Sequence, residues 1–113
     1  VQTDSRVCDL DADRAQTESL NLEFEEDITP AEAREILSHA PGVRVVDDPL
    51  NGGYPMPLDA TAKYDVLAGR IRQDLSRDDR KGLEMFVSGD QLLRGAALNA
   101  VEIAEHLVKR GLV

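Results

Sequence analysis

The sequence contains no tryptophan, two tyrosines, two phenylalanines and one cysteine in 113 residues. A lone cysteine, Cys8, excludes an intrachain disulfide framework and a thiolate cluster for zinc. His39 and His106 have no Cys or carboxylate partner at a ligand spacing, so they read as surface histidines and no metal site is expected. Basic residues are scarce, 13 Lys and Arg against 22 Asp and Glu, which gives a net charge of −9. That balance repels a polyanion and excludes nucleic acid as a partner. No apolar run approaches the roughly 20 residues that a membrane helix needs, and no basic segment followed by an apolar stretch opens the chain. The expectation is a soluble, cytoplasmic protein with no membrane partner.

What is present suits one globular domain. Apolar residues make up 42% and charged residues 31%, and the length allows a single core but not a dinucleotide-binding unit and a substrate domain together. Residues 1–18 are rich in Asp, Arg, Gln, Thr and Ser, which predicts a loosely ordered acidic arm ahead of a domain over 19–113. From Ser19, Leu20, Leu22 and Phe24 alternate with Asn21, Glu23 and Glu25, the period of a half-buried strand. Thr29-Pro30-Ala31-Glu32 combines an N-cap hydroxyl, a proline at the first helical position and a glutamate three residues after the cap, a capping box. The helix it starts carries Ala33, Ile36, Leu37 and Ala40 on one face and stops at Pro41-Gly42. Val43, Val45 and Val46 then make a short β-branched strand.

Residues 47–63, with Asn51-Gly52-Gly53 and prolines at 49, 55 and 57, predict an irregular loop. Two strands follow, Tyr64 to Asp74 and Leu83 to Val87, joined as a hairpin by the charged turn from Ser76 to Gly82. Alternation puts Arg70 and Arg72 on one face with Asp74, opposite Ile71; two guanidiniums so placed meet water or clamp a carboxylate or phosphate. After Gly89-Asp90 comes the longest helix, with Leu92, Leu93, Ala96, Ala97, Ala100, Val101, Ala104, Leu107 and Val108 at helical spacing, and Leu98 and Ile103 widening the stripe. One face is expected on the sheet and the other on a second partner. The fold class is therefore α+β: a mixed, mainly antiparallel sheet with one short helix and one long C-terminal helix.

Three blocks carry a resemblance. Gly53-Tyr54-Pro55-Met56-Pro57-Leu58-Asp59-Ala60, Gly69-Arg70-Ile71-Arg72-Gln73-Asp74 and Ser88-Gly89-Asp90-Gln91-Leu92-Leu93-Arg94-Gly95-Ala96-Ala97-Leu98-Asn99 are similar, in order and spacing, to segments near the C-terminus of bacterial aspartate-semialdehyde dehydrogenases. The resemblance runs from about Glu18 to Val108. It implies kinship with enzymes that reduce aspartyl phosphate with NADPH on the way to lysine, methionine and threonine, using a cysteine nucleophile, an acid/base histidine and a carboxylate-binding arginine. It also implies that the final helix packs against a nucleotide-binding domain that comes first in those enzymes.

Departures from the family pattern shape the functional expectation. No G-x-G-x-x-G or G-x-x-G-x-x-G segment occurs, so no nucleotide site and no cofactor are expected for this chain alone, NADP belonging to the intact family enzyme. Cys8 sits beside acidic neighbours that suppress a thiolate, and not after an asparagine as the family nucleophile does. Aligning Glu18 to Phe24 with the family strand puts Gln16 where the catalytic histidine stands, between Ala15 and Thr17, and a glutamine amide neither takes nor gives a proton near neutral pH. Arg6, in an Arg-Val pair, resembles the substrate arginine at a longer spacing. Asn99 corresponds to a residue facing the nicotinamide, and Arg70 and Arg72 remain candidate anion ligands. The expected role is the C-terminal domain of a dehydrogenase-like protein, not catalytic alone. The alternative is a catalytically dead, free-standing dimerisation or protein-binding module. Partners are a second copy, or a separate nucleotide-binding domain.

Overall fold

The computed structural model describes residues 2–8, of which 3–8 as backbone, and 15–113. Among them, five strands form one sheet: β1 (Gln2–Cys8), β2 (Ala15–Glu23), β3 (Val43–Val45), β4 (Val66–Gln73) and β5 (Gly82–Asp90), in the order β1-β2-β5-β4-β3. Only β3 against β4 is parallel; the other pairs are antiparallel. Helices α1 (Pro30–Ser38), α2 (Pro57–Ala60) and α3 (Leu98–Lys109) complete the fold. This is the mainly antiparallel α+β architecture that the sequence predicts.

The two sheet faces bury different clusters. Leu20 pairs with Met85 and Leu22 with Leu83 across β2 and β5. On that face Ala33 of α1, Ile71, Leu83 and Met85 form the larger core, with Leu37, Phe24 and Ile28 packed around it. Alternation sends Ala15 to the opposite face, where it joins Ala60 of α2, Leu67 and Val46. Both faces are thus covered near one position each, by α1 and by α2.

Local sequence signals explain α1. Thr29 Oγ1 accepts the Glu32 N–H at 3.2 Å, and the Glu32 carboxylate accepts the Thr29 N–H at 2.8 Å, which closes the predicted capping box. The expected apolar face is narrower than read, since Ile36 is 63% exposed while Ala33 and Leu37 pack on the sheet.

The structure also differs from the sequence reading at five points. β2 begins at Ala15, not at Ser19, and crosses the boundary expected at residue 18. Its first residues, Ala15 and Thr17, are buried because they are small enough to lie under α2 and against Ser88. β1 pairs with β2 from Gln2↔Glu23 to Cys8↔Thr17; a backbone ladder needs no apolar side chains, so its polar sequence conceals it. Residues 9–14 of the expected arm lie outside the described residues.

The stretch over 47–63 is not wholly irregular, because Pro57 presets the first turn of α2 and Ala60 is fully buried. β4 carries a bulge between Gly69 and Arg72, with Arg70 at φ +52°. α3 does not lie on the sheet as expected: none of its residues is buried, and Val101, Ile103 and Val108 are more than half exposed. It follows the π-helical turn Leu93–Ala97 and is tied to it by Arg94 and Glu102. A π turn adds a residue to the helical repeat, so apolar residues before and after it no longer share one face.

Candidate functional site

A cleft of about 300 Å³ opens on the α1 face of the sheet, at the end away from α1. Gln16 and Glu18, two apart on β2 and so on one face, line it together with Val87 and Gly89 of β5 and Val66 of β4. Asp90, Gln91, Arg94 and Gly95 supply the remaining wall at the π turn. The register puts Gln16 opposite Gly89 and Thr17 opposite Ser88. Ser88 Oγ lies 3.2 Å from both the Thr17 hydroxyl and the Gln16 carbonyl, to which it donates, so the strand bearing Gln16 is fixed.

Asp90 and Arg94 hold the wall in place. The Asp90 carboxylate has no exposed surface. One oxygen accepts the Ala62 N–H at 2.8 Å, and the other accepts those of Leu92 at 3.0 Å and Leu93 at 3.3 Å. It therefore caps the π turn and ties it to the end of the α2 loop, where Ala62 adopts φ +58°. Arg94 donates to the Tyr64 carbonyl at 2.9 Å and makes a two-pronged pair with Glu102 at 2.7 and 3.0 Å. Its guanidinium fills the space beside Gly42, where a Cβ would come within 2.0 Å of it. That pair is the polar link between the cleft and α3.

Of the residues singled out from sequence, Gln16 reaches the cleft, with the block Gly89, Asp90, Gln91, Arg94 and Gly95 around it. Asn99, in the first turn of α3, is exposed and is not among the residues lining the cleft. Arg6 stands opposite Ser19 in the β1–β2 ladder, and its side chain lies outside the described residues, as does that of Cys8. Arg72 pairs with Glu84 at 2.6 Å, and Arg70 lies between the rings of Tyr54 and Phe86, its guanidinium carbon 5.5 and 5.3 Å from their centroids. Neither lines the cleft. Asp74 is buried and accepts from Asn21 and Ser76, which hold its carboxyl below the usual range.

Glu18 and Val66 were not foreseen as cleft residues. Alternation with Gln16 was the available signal for Glu18, whereas Val66 depends on the pairing of β4 with β5 and has no local signal. His39 and His106 are both exposed, and among the described residues no group of three or more His, Cys, Asp or Glu is placed to hold a metal.

The family model for the semialdehyde dehydrogenase dimerisation domain matches residues 12–94. The chain belongs to this family. It is 52% identical over 97 residues to an aspartate-semialdehyde dehydrogenase of Aquifex aeolicus, covering 86% of this chain and 28% of that protein. With the Bacillus subtilis aspartate-semialdehyde dehydrogenase it shares 47% identity over 98 residues, again 86% of this chain and 28% of the relative. The crystal structure of aspartate semialdehyde dehydrogenase II from Vibrio cholerae complexed with ASA superimposes with a TM-score of 0.74 at 31% identity, covering 85% of this chain and 27% of that one. The chain thus spans under a third of the length of these dimerisation-domain relatives. No helix among the described residues is long and apolar enough to cross a membrane.

Proposed function

We propose that this chain serves as the dimerisation domain of an aspartate-semialdehyde dehydrogenase-like protein, pairs with a second copy in the cytoplasm, and is not catalytic by itself. The observation that carries the reading is Gln16, lining the cleft in register with Gly89. The resemblance assigns that position to the acid/base histidine of NADPH-dependent aspartyl phosphate reduction. A carboxamide can hold a substrate oxygen by its N–H groups but cannot shuttle a proton. The cleft is then suited to binding and orienting a small polar ligand. Proton transfer there requires a group other than Gln16. In the family as the resemblance describes it, the nucleotide site and the thiol nucleophile lie outside the matched stretch, and NADP is the cofactor of the intact enzyme. Arg6 and Asn99 would contribute to substrate and nicotinamide binding only in such an assembly.

Light scattering with calorimetry on the same sample tests this. The expected result is a particle of twice the chain mass that gives no heat with NADPH. A monomer that binds NADPH would overturn the proposal.

A second reading rests on α3. Its exposed Val101, Ile103 and Val108 suit docking onto a separate nucleotide-binding domain, as the resemblance implies for the family's last helix. The chain would then complete a two-part protein. Co-purification with such a domain, lost on Val101→Asp, would favour that reading over a free-standing protein-binding module.

A further inference from the structure

We infer that Asn51 is a site of spontaneous covalent modification: its side-chain amide closes on the Gly52 nitrogen, and the ring that forms opens to aspartate or isoaspartate. The inference is independent of the dimerisation reading above and concerns a turn that does not line the cleft.

The chain has three asparagines in different surroundings. Asn21 precedes Leu22 within β2, and its amide donates to the Asp74 carboxylate at 2.9 Å. Asn99 precedes Ala100 inside α3, where helical dihedrals hold the backbone. Asn51 alone is followed by glycine. Both Asn51 and Gly52 are exposed, in a turn closed by the bridge between Asp48 and Gly53. Across it the Gly53 N–H bonds to the Asp48 carbonyl at 2.7 Å and the Asp48 N–H to the Gly53 carbonyl at 2.9 Å. Gly52 adopts φ +72°, and nothing lies within 4 Å of where a Cβ would stand. Among the described residues its N–H has no acceptor. This nitrogen is therefore open to act as a nucleophile, with no side chain of its own to shield it.

The step needs only water and hydroxide. The Gly52 nitrogen gives its proton to hydroxide and bonds to Asn51 Cγ; the bond from Cγ to Nδ2 breaks, and ammonia leaves with a proton taken from water. Water then opens the five-membered ring at one of its two carbonyls. Breaking the bond to Cγ leaves aspartate, and breaking the bond to the main-chain carbon leaves isoaspartate, with the chain running through the side chain. One restraint opposes closure: the Asp48 carboxylate accepts the Asn51 N–H at 3.2 Å and its side-chain amide at 2.7 Å. Asp48 is exposed as well, so water competes for these bonds and the restraint is weak. Conversion replaces the amide by a second carboxylate, and repulsion then stands beside the bridge where a hydrogen bond stood. Tyr54, just past the bridge, donates to the Pro49 carbonyl at 3.4 Å across the turn and stacks on Arg70, whose N–H the Asp47 carboxylate accepts at 2.7 Å. The change in the turn therefore bears on the ring that covers the β4 bulge.

The test is peptide mapping by mass spectrometry of the full chain, incubated at alkaline pH in native buffer and in urea, with Asn51→Gln alongside. The longer side chain of Asn51→Gln would have to close a six-membered ring, which forms far more slowly, and at an exposed turn it leaves the fold unchanged. In the native chain the amide of Asn51 should be lost at least ten times faster than those of Asn21 and Asn99, within tenfold of its own rate in urea, and in proportion to hydroxide. Asn51→Gln should lose no amide at this position over the same time. Loss at Asn51 no faster than at Asn21 and Asn99 would overturn the proposal. A native rate more than ten times below the rate in urea would overturn it too, by showing that Asp48 keeps the amide from closing.

Discussion

Gln16 of β2 stands directly opposite Gly89 of β5, and both line the cleft on the α1 face. Because glycine offers no side chain there, Gln16 borders the open cleft, which it shares with Glu18 and Val66. An imidazole is close to a carboxamide in size, so Gln16→His should fold with a stability change within roughly 0.5 kcal/mol. Its ring should titrate near pH ~6.5 by NMR, moved by whatever the cleft imposes. A variant that loses the cooperative unfolding of the parent would show that the position is occupied by packing and not by an open site.

The capping box gives a second prediction. Thr29 satisfies the Glu32 N–H and receives the Glu32 carboxylate in return, and α1 is only nine residues long. Thr29→Ala should therefore cost about 1 kcal/mol in urea unfolding. A cost near zero would mean that Ala33 and Leu37, through packing alone, hold the helix.

The contrast between these elements shows what a sequence displays. Thr29 and Glu32 are three residues apart and interact within one turn, so their relation was legible, as were the alternation of Leu20 and Leu22 and the hairpin of β4 and β5. The bulge at Arg70 was not, because its cause is the carboxylate of Asp47, 23 residues away. α3 shows a related limit: the spacing of its apolar residues says which of them share a face but not what covers that face, and the π turn before it has no spacing signature. In the cleft, Gln16 and the glycine-rich wall were reached through the family resemblance, and Val66 was not reached because only strand pairing brings it there. β1 stayed hidden since its contribution is backbone hydrogen bonding and not apolar pattern.

Gly69 offers a steric prediction. A Cβ built there would lie 2.0 Å from the Val46 carbonyl oxygen and 2.8 Å from Pro55 Cδ, both attached to backbone that is itself packed. The Val46 N–H also bonds to the Ala68 carbonyl at 2.8 Å, so the strands cannot separate without losing that bond. Gly69→Ala should cost about 1–3 kcal/mol through forced backbone shifts. If thermal unfolding matches that of the parent, the approach of Pro55 to β4 is looser than the geometry shows.

Acid should weaken the β4–β5 turn. Hydrogen bonds from Asn21 and then Ser76 hold the Asp74 carboxyl below its ordinary value, and Arg77 draws Asp79 down to about 2. A carboxyl whose pKa is lower folded than unfolded contributes stability above the unfolded value, about 3.9 for Asp, and loses it as pH falls through the folded value. The stability from both groups should therefore be complete at neutral pH and decline between about pH 4 and pH 2. In urea titrations, Asp74→Asn should be less stable than the parent at pH 6, with the difference shrinking towards pH 2. A difference that is constant with pH would assign the role of Asp74 to shape and not to charge.

Asp90 tests how the cleft wall is built. Its buried carboxylate serves the N–H groups of Ala62, Leu92 and Leu93, which belong to two segments that otherwise meet only at this end of the sheet. Asp90→Asn keeps the side-chain volume but replaces one acceptor oxygen by a donor, so at least one of these N–H groups must face an N–H. Leaving a buried donor unsatisfied costs about 1–3 kcal/mol, and the loss should be local as well as global. Hydrogen exchange should therefore accelerate at Ala62, Leu92 and Leu93 and through the π turn into α3, while β2 and the larger core around Leu83 keep their protection. Uniform acceleration across the domain would instead place Asp90 in the global core. Unchanged exchange would mean that Arg94, through Tyr64 and Glu102, holds the wall without it.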